Sequence, residues 1–239
     1  DQNGHVTFSY YRERLIKNRR GFLWEGRVHE AVTPRGNILY SPVEIEHRKL
    51  AAGDSDRNLR IYETMIGEGE TLCPRHQFYY GRELYYHQRY EEAVKVFEHF
   101  LEEPDGWVEN RIRQLSRCRE QLGQKREAFL ALTGSFLYDE PRAEILCEIG
   151  RLLIGERAYK TAAYWYQRAL ELTPRETSGA FVLQDCYGYI PYMQLCVCFD
   201  RLGDHKKARE YHLLARELEA EAVKQNQLYF DKLFQDEEG

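Results

Sequence analysis

The sequence predicts a mainly α chain: an α-solenoid of about four helix-turn-helix repeats and a capping helix, preceded by a small β-containing segment. Two observations carry this. First, Gly81, Tyr90, Ala93, Phe97 and Leu101 recur at the same offsets as Gly150, Tyr159, Ala162, Tyr166 and Leu170. Aligned on alanine, the copies place Ala93, Ala128, Ala162 and Ala208 at separations of 35, 34 and 46 residues, and a period of roughly 34 residues is that of stacked helix pairs. Second, the composition shifts at the start. Residues 1–48 carry 8 Lys plus Arg against 6 acids, a balance of +2, which leaves −7 for the rest of a protein whose total is −5.

With 239 residues, 43% hydrophobic and 31% charged, the protein can bury a core and is too apolar to be disordered. The acidic balance, 39 Asp plus Glu against 34 Lys plus Arg, argues against wholesale binding of nucleic acid or anionic membrane. The longest apolar runs, Phe129–Leu132 and Leu195–Phe199, fall far short of the roughly 18 residues of a membrane span.

In sequence order, Asp1 to His5 show no signal-peptide pattern, and an Asp1 start reads as processed or trimmed. Asn3-Gly4 is a turn dipeptide before the alternating run His5–Tyr10, read as a strand. Gly21–Trp24, Val28–Val32 and Asn37–Leu39 are further strand-like pieces, broken by Thr33-Pro34-Arg35-Gly36, and Lys17-Asn18-Arg19-Arg20 reads as a solvated turn. So few short strands do not close a sheet, so 1–48 is expected to be the tail of something larger. The stripe Leu59, Tyr62, Ile66 predicts a helix within the linking segment 49–73.

The repeats follow over 74–220, as 74–105, 109–141, 143–174 and 189–220. The surplus spacing is an insertion over 175–188, containing Gly179 and Gly188 and expected to bulge from the stack. Small residues at Gly81, Ala93, Gly150, Ala162, Ala169, Ala208 and Ala215 let helices cross closely, while Tyr90, Phe97, Tyr159 and Tyr166 fill the space between them. The second copy departs, with Ser116, Lys125 and Ser135 at the corresponding places. Residues 221–239 suit an amphipathic capping helix with the acidic tail Asp236-Glu237-Glu238. This pattern resembles the tetratricopeptide repeat (TPR) family, most closely over Ala143–Pro174, where Gly150, Tyr159, Ala162, Tyr166, Ala169 and Pro174 stand at the family's offsets.

The six cysteines, 73, 118, 147, 186, 196 and 198, show no C-x-x-C and no zinc spacing, and read as reduced, small buried hydrophobes of a cytoplasmic protein. No Ser/His/Asp, Cys/His or H-E-x-x-H arrangement supports a hydrolase or metalloenzyme.

Trp24-Glu25-Gly26-Arg27-Val28-His29-Glu30, preceded by Tyr11-Arg12-Glu13-Arg14 and followed by His47, resembles the C-terminal end of the catalytic domain of family-two (GT-A type) glycosyltransferases. The junctions Asp56–Tyr62 and Tyr79–Leu84 are similar to the bacterial subgroup in which that domain runs into TPR repeats. The resemblance implies that 1–48 is the remnant of a catalytic domain and that the missing N-terminal half holds the nucleotide-sugar site. It further implies His29 as a metal or phosphate contact, Glu30 and Trp24 on the acceptor side, and Arg12 and Arg14 facing phosphate; His47 reads as an ordinary core or surface histidine. Mg or Mn and a nucleotide-sugar donor belong to the intact enzyme by that resemblance, and no cofactor to this chain alone. The only D-x-D, Asp54-Ser55-Asp56, reads as a helix N-terminus, and the chain alone is expected to transfer no sugar.

First helices of TPR repeats line a groove, and the residue after the Gly position recurs in register as Arg82, Arg117 and Arg151. With Arg75, Arg113, Phe78 and Tyr85 they form an expected groove for a protein or peptide, acidic or carboxylate-bearing, unless Glu83, Glu120 and Glu148 neutralise the arginines. The alternative is a non-enzymatic TPR scaffold with a small N-terminal decoration.

Overall fold

A computed structural model describes residues 15–33, 35–39, 56–102, 108–174 and 182–218. The protein divides into two compact units, residues 1–87 and 88–239, so the boundary runs through the first expected repeat, 74–105.

In the first unit, strands β1 (Trp24–Glu25) and β2 (Ala31–Val32) pair antiparallel, Trp24 opposite Val32 and Glu25 opposite Ala31. The longer strands expected over 21–24 and 28–32 are cut to two residues each, and 37–39 forms none. Gly26 at φ 96° and His29 at φ 52° turn the chain back, so Val28 leaves the ladder and is buried with Val32. Lys17–Arg20 forms the expected exposed turn, with Arg19 left-handed. Helix α1 (Arg57–Gly67) buries Leu59, Tyr62 and Met65; Met65 takes the place expected for Ile66, which is exposed. Helix α2 (Pro74–Tyr86) opens on Pro74, whose missing N–H falls where no intrahelical acceptor exists, and buries Phe78, Tyr80, Gly81 and Leu84. The Tyr62 ring lies 5.9 Å from His76 and 5.7 Å from Tyr80.

The second unit runs α3 (Tyr90–Glu102), α4 (Val108–Gln121), α5 (Lys125–Gly134), a 3-10 turn over Ser135–Leu137, α6 (Ala143–Gly155), α7 (Tyr159–Ala169), a 3-10 turn over Gln184–Tyr187, α8 (Tyr189–Arg201) and α9 (His205–Arg216). α4 packs on α5, α6 on α7 and α8 on α9, while α3 lies on α4 and α7 on α8. This is the helix-pair stack that the roughly 34-residue period predicts. Ala93, Ala128, Ala162 and Ala208 are each 0% exposed, which places the aligned alanines at the helix contacts, where a larger side group has no room. Phe97, Leu132, Tyr166 and Leu195 fill the interior beside them. Each tight turn after a first helix carries one left-handed residue: Gln88, Gly123, Arg157 and Gly203. Asp204 caps α9 by accepting a hydrogen bond from the Lys207 amide at 3.1 Å.

The end of the expected insertion does not bulge. Glu144, at the start of α6, accepts hydrogen bonds from the Leu183 amide at 3.0 Å and from the Tyr187 hydroxyl at 2.9 Å. Cys186 is buried against Cys147. A buried carboxylate needs donors, and the 183–187 segment supplies them together with Arg142. The expected capping helix and tail, 221–239, lie outside the described residues.

Candidate functional site

The expected groove arginines of the second unit sit on α4 and α6. Asn110, Arg113 and Arg117 are spaced i, i+3 and i+7, so they share one face of α4; Glu148 and Arg151, at i and i+3, share one face of α6. Three guanidinium groups converge on the buried Glu148 carboxylate: Arg117 through a short bond to Oε1, Arg113 at 3.6 Å, and Arg151 through Nε to Oε2 at 2.8 Å. Arg151 also grips Glu120 with a two-pronged bond, Nη1 to Oε1 at 2.9 Å and Nη2 to Oε2 at 2.6 Å. Burial alone pushes the Glu148 carboxyl up, but the charges of Arg117, Arg113 and Arg151 outweigh it and hold it below the ordinary carboxylate range. Arg113 is itself nearly buried. The neutralising acids that the sequence offered against the ladder are thus seen at Arg117 and Arg151, with one cation in excess.

Arg82, Arg75, Phe78 and Tyr85 belong to the first unit. Phe78 is buried in its core. Arg82 lies over the Phe78 and Tyr86 rings, 5.7 and 5.6 Å from their centroids, and donates to the Tyr86 hydroxyl at 2.7 Å. The Tyr85 ring meets Tyr86 edge-on. Arg75 donates to the backbone carbonyl of His29 at 3.2 Å and lies over Tyr79.

His29 projects from the hairpin turn, its ring stacked on Tyr79 at 3.9 Å. The preceding Arg27 bridges Glu68 at 2.5 Å and Glu70 at 2.8 Å, so the turn is fastened to the end of α1. Trp24 is 68% exposed, and Leu23 beside it is exposed too. Glu30 is exposed. Arg12, Arg14, His47, Asp54 and Ser55 lie outside the described residues. Asp56 precedes α1 without a side-chain cap, and its Oδ1 lies 3.2 Å from His87 Nε2. Among the described residues no group of three His, Cys, Asp or Glu comes together in a metal-binding cluster. No described helix is long and apolar enough to cross a membrane. Cys118, Cys147, Cys186, Cys196 and Cys198 are buried as expected, whereas Cys73 is exposed ahead of α2. Burial pushes the Cys118 thiol up to about 12, which makes it inert.

Sequence reasoning passed over Tyr79, Asn110, Glu144 and Tyr187. The i, i+3, i+7 spacing of Asn110 with Arg113 and Arg117 was a readable signal. The Tyr79–His29 stack, joining residues 50 apart, had none.

No protein-family profile matches the sequence, and no curated protein sequence does. Solved structures do. A crystal structure of MamA aligns over 76% of this protein and 99% of its own length at 13% identity, with a TM-score of 0.54. Another MamA structure aligns over 68% and 81% at 12% identity, TM-score 0.52. YrrB, described as a TPR protein with an unusual peptide-binding site, aligns over 73% and 84% at 17% identity, TM-score 0.52. At these identities the likeness concerns the fold, which is a TPR-type helical repeat. The glycosyltransferase resemblance rests on sequence motifs alone, residues 11–14, 24–30, 47, 56–62 and 79–84.

Proposed function

We propose that the protein is the C-terminal, TPR-bearing portion of a nucleotide-sugar-dependent glycosyltransferase, whose repeats bind a protein or peptide acceptor. The binding half draws on the α4–α6 face, where three guanidinium groups meet two carboxylates on a TPR-type scaffold. The catalytic half draws on the W-x-G-x-V-H-E turn. There His29 is held at a left-handed φ, a conformation that costs energy and recurs at functional positions, and Leu23 and Trp24 leave apolar surface on a two-stranded sheet. In this reading Trp24 and Glu30 face the acceptor and His29 the donor phosphates. The carboxylates that would hold Mg or Mn come from sequence outside these 239 residues, and no catalytic step is assigned to these residues alone.

The test is sugar transfer. The 239-residue protein should show none with any nucleotide-sugar donor. The gene product with the residues encoded before Asp1 should transfer a sugar to a peptide with Mn²⁺ present, and lose about 100-fold or more of that activity on His29→Ala. Failure of the longer product to turn over overturns the catalytic half, and turnover by the 239 residues overturns the fragment reading.

The second reading, a self-standing TPR scaffold, is favoured by Val28 and Val32. Both are buried, as the apolar residues of a closed cap would be.

A further inference from the structure

Three guanidinium groups and two carboxylates share the α4–α6 face, leaving one positive charge in excess on a protein of net charge −5. The two acids differ in kind. Glu148 is buried and ties the arginines from within, its side chain 7% exposed, whereas that of Glu120 is 28% exposed, bonds Arg151 and also feels the charge of Lys125. Arg117 and Arg151 show 37% and 43% of their side chains to solvent. One and two turns before Arg117 on the same face of α4, Nε of Arg113 and Nδ2 of Asn110 are buried and meet no acceptor among the described residues. The face is rich in donors and short of acceptors, and a buried donor without a partner is costly.

We infer that this face binds an acidic peptide segment, one partner carboxylate replacing Glu120 on the Arg151 fork and a second lying against Arg117. The inference rests on the protein-binding half of the proposed function. An incoming carboxylate can make the same two bonds on the Arg151 fork that Glu120 makes, so exchanging one carboxylate for another there costs little. The surplus positive charge then decides in favour of the incoming group. An isolated guanidinium fork matches the planar, two-oxygen geometry of Asp, Glu or a C-terminal carboxylate. A nucleic acid needs a row of cations that this face, with two acids of its own, does not offer. Glu120 is therefore a built-in competitor that tunes partner affinity.

The experiment uses the full 239-residue protein and two short fluorescein-labelled probes, a Glu/Ser peptide and its Gln/Ser counterpart, followed by fluorescence polarisation at low and high salt. Only the acidic probe should bind, and salt should weaken it. Glu120→Gln should tighten binding by up to about fivefold, the equivalent of about 1 kcal/mol. Arg151→Lys, which keeps the charge and loses the fork, should weaken it by about the same factor, and Arg117→Ala together with Arg151→Ala should abolish it. Circular dichroism checks that each variant is folded. Binding of the acidic probe unchanged by Glu120→Gln overturns the inference, as does binding of neither probe. Equal binding of both overturns it too while leaving peptide binding by the repeats standing.

Discussion

Tyr166 lies across Gly150 so closely that a Cβ on the glycine would sit 2.6 Å from the ring. The two residues come from α6 and α7, and their contact sets how near those helices approach. Gly150→Ala should destabilise the protein by about 1–3 kcal/mol, the cost of overpacking a filled core, after a helix-propensity gain of about 1 kcal/mol is overcome. On the same helix, Gly155 has nothing within 4 Å of an added Cβ and no positive φ. Gly155→Ala should stabilise by about 0.5–1 kcal/mol. Urea unfolding of the pair separates helix propensity from close approach; equal effects of one sign would remove the crossing argument.

Acid should act through Glu148 and Glu144. At Glu148 burial raises the carboxyl and the three arginines more than reverse it; at Glu144 burial is reversed by hydrogen bonds from Arg142 and the Leu183 amide. A carboxyl held below its unfolded value of about 4.3 stabilises the fold fully above that value, and the contribution is lost as pH falls through the lower folded value. Denaturant midpoints should therefore fall steeply below about pH 4. Glu148→Gln should cost about 3 kcal/mol at neutral pH, because it leaves the buried Arg113 and the part-exposed Arg117 and Arg151 without their shared counter-charge, and should flatten that acid limb. An unchanged limb would mean that other carboxylates govern it.

The left-handed turn residues give a third expectation. Arg157 holds φ 57° at the position where Gly123 and Gly203 stand in neighbouring repeats. A residue with a Cβ pays about 1 kcal/mol or more in that conformation. Arg157→Gly should raise stability by up to about 1 kcal/mol, read as a shift in the urea midpoint at constant slope. A loss would mean that the contacts of the Arg157 guanidinium and its stem outweigh the backbone strain.

The period of the repeat was legible because helix-pair stacking demands small residues at fixed contacts. Ala93, Ala128, Ala162 and Ala208 mark those contacts, and all four are fully buried. The arginine register was legible for the same reason, since Arg117 and Arg151 occupy equivalent places on α4 and α6. What they do there was not, because whether an arginine faces a partner or a neighbouring Glu148 depends on the separation of two helices that no local pattern encodes. The strand-like pieces of the sequence are longer than the two-residue strands they form. The apolar residues of Gly21–Trp24 and Val28–Val32 suit a pleat, but the chain reverses at Gly26 and His29, where Arg27 is tied to Glu68 and Arg75 to the His29 carbonyl. Tertiary contacts overrode a local preference that is weak in segments this short.

Spacing shows surplus residues before α8 and says nothing of what they cover, which is why it gives no sign that residues 183–187, the described end of the insertion, lie against α6. Glu144 is 2% exposed and has three sources of hydrogen bonds, the Leu183 amide, the Tyr187 hydroxyl and Arg142, so the 183–187 turn is clasped to α6 by a single carboxylate. Below it, the Cys147 thiol reaches the Cys186 carbonyl at 3.7 Å. Tyr187→Phe removes one charge-assisted hydrogen bond, worth about 1.5–3 kcal/mol, while keeping the ring against its neighbours. Amide hydrogen exchange at Leu183 should then speed up by one to two orders of magnitude, about the factor that such a loss implies if the turn opens locally. Exchange in α4 should stay unchanged, because that helix does not depend on the clasp. Acceleration of both together would mean that the turn opens only with the whole unit, and no acceleration at Leu183 would remove Tyr187 from the clasp.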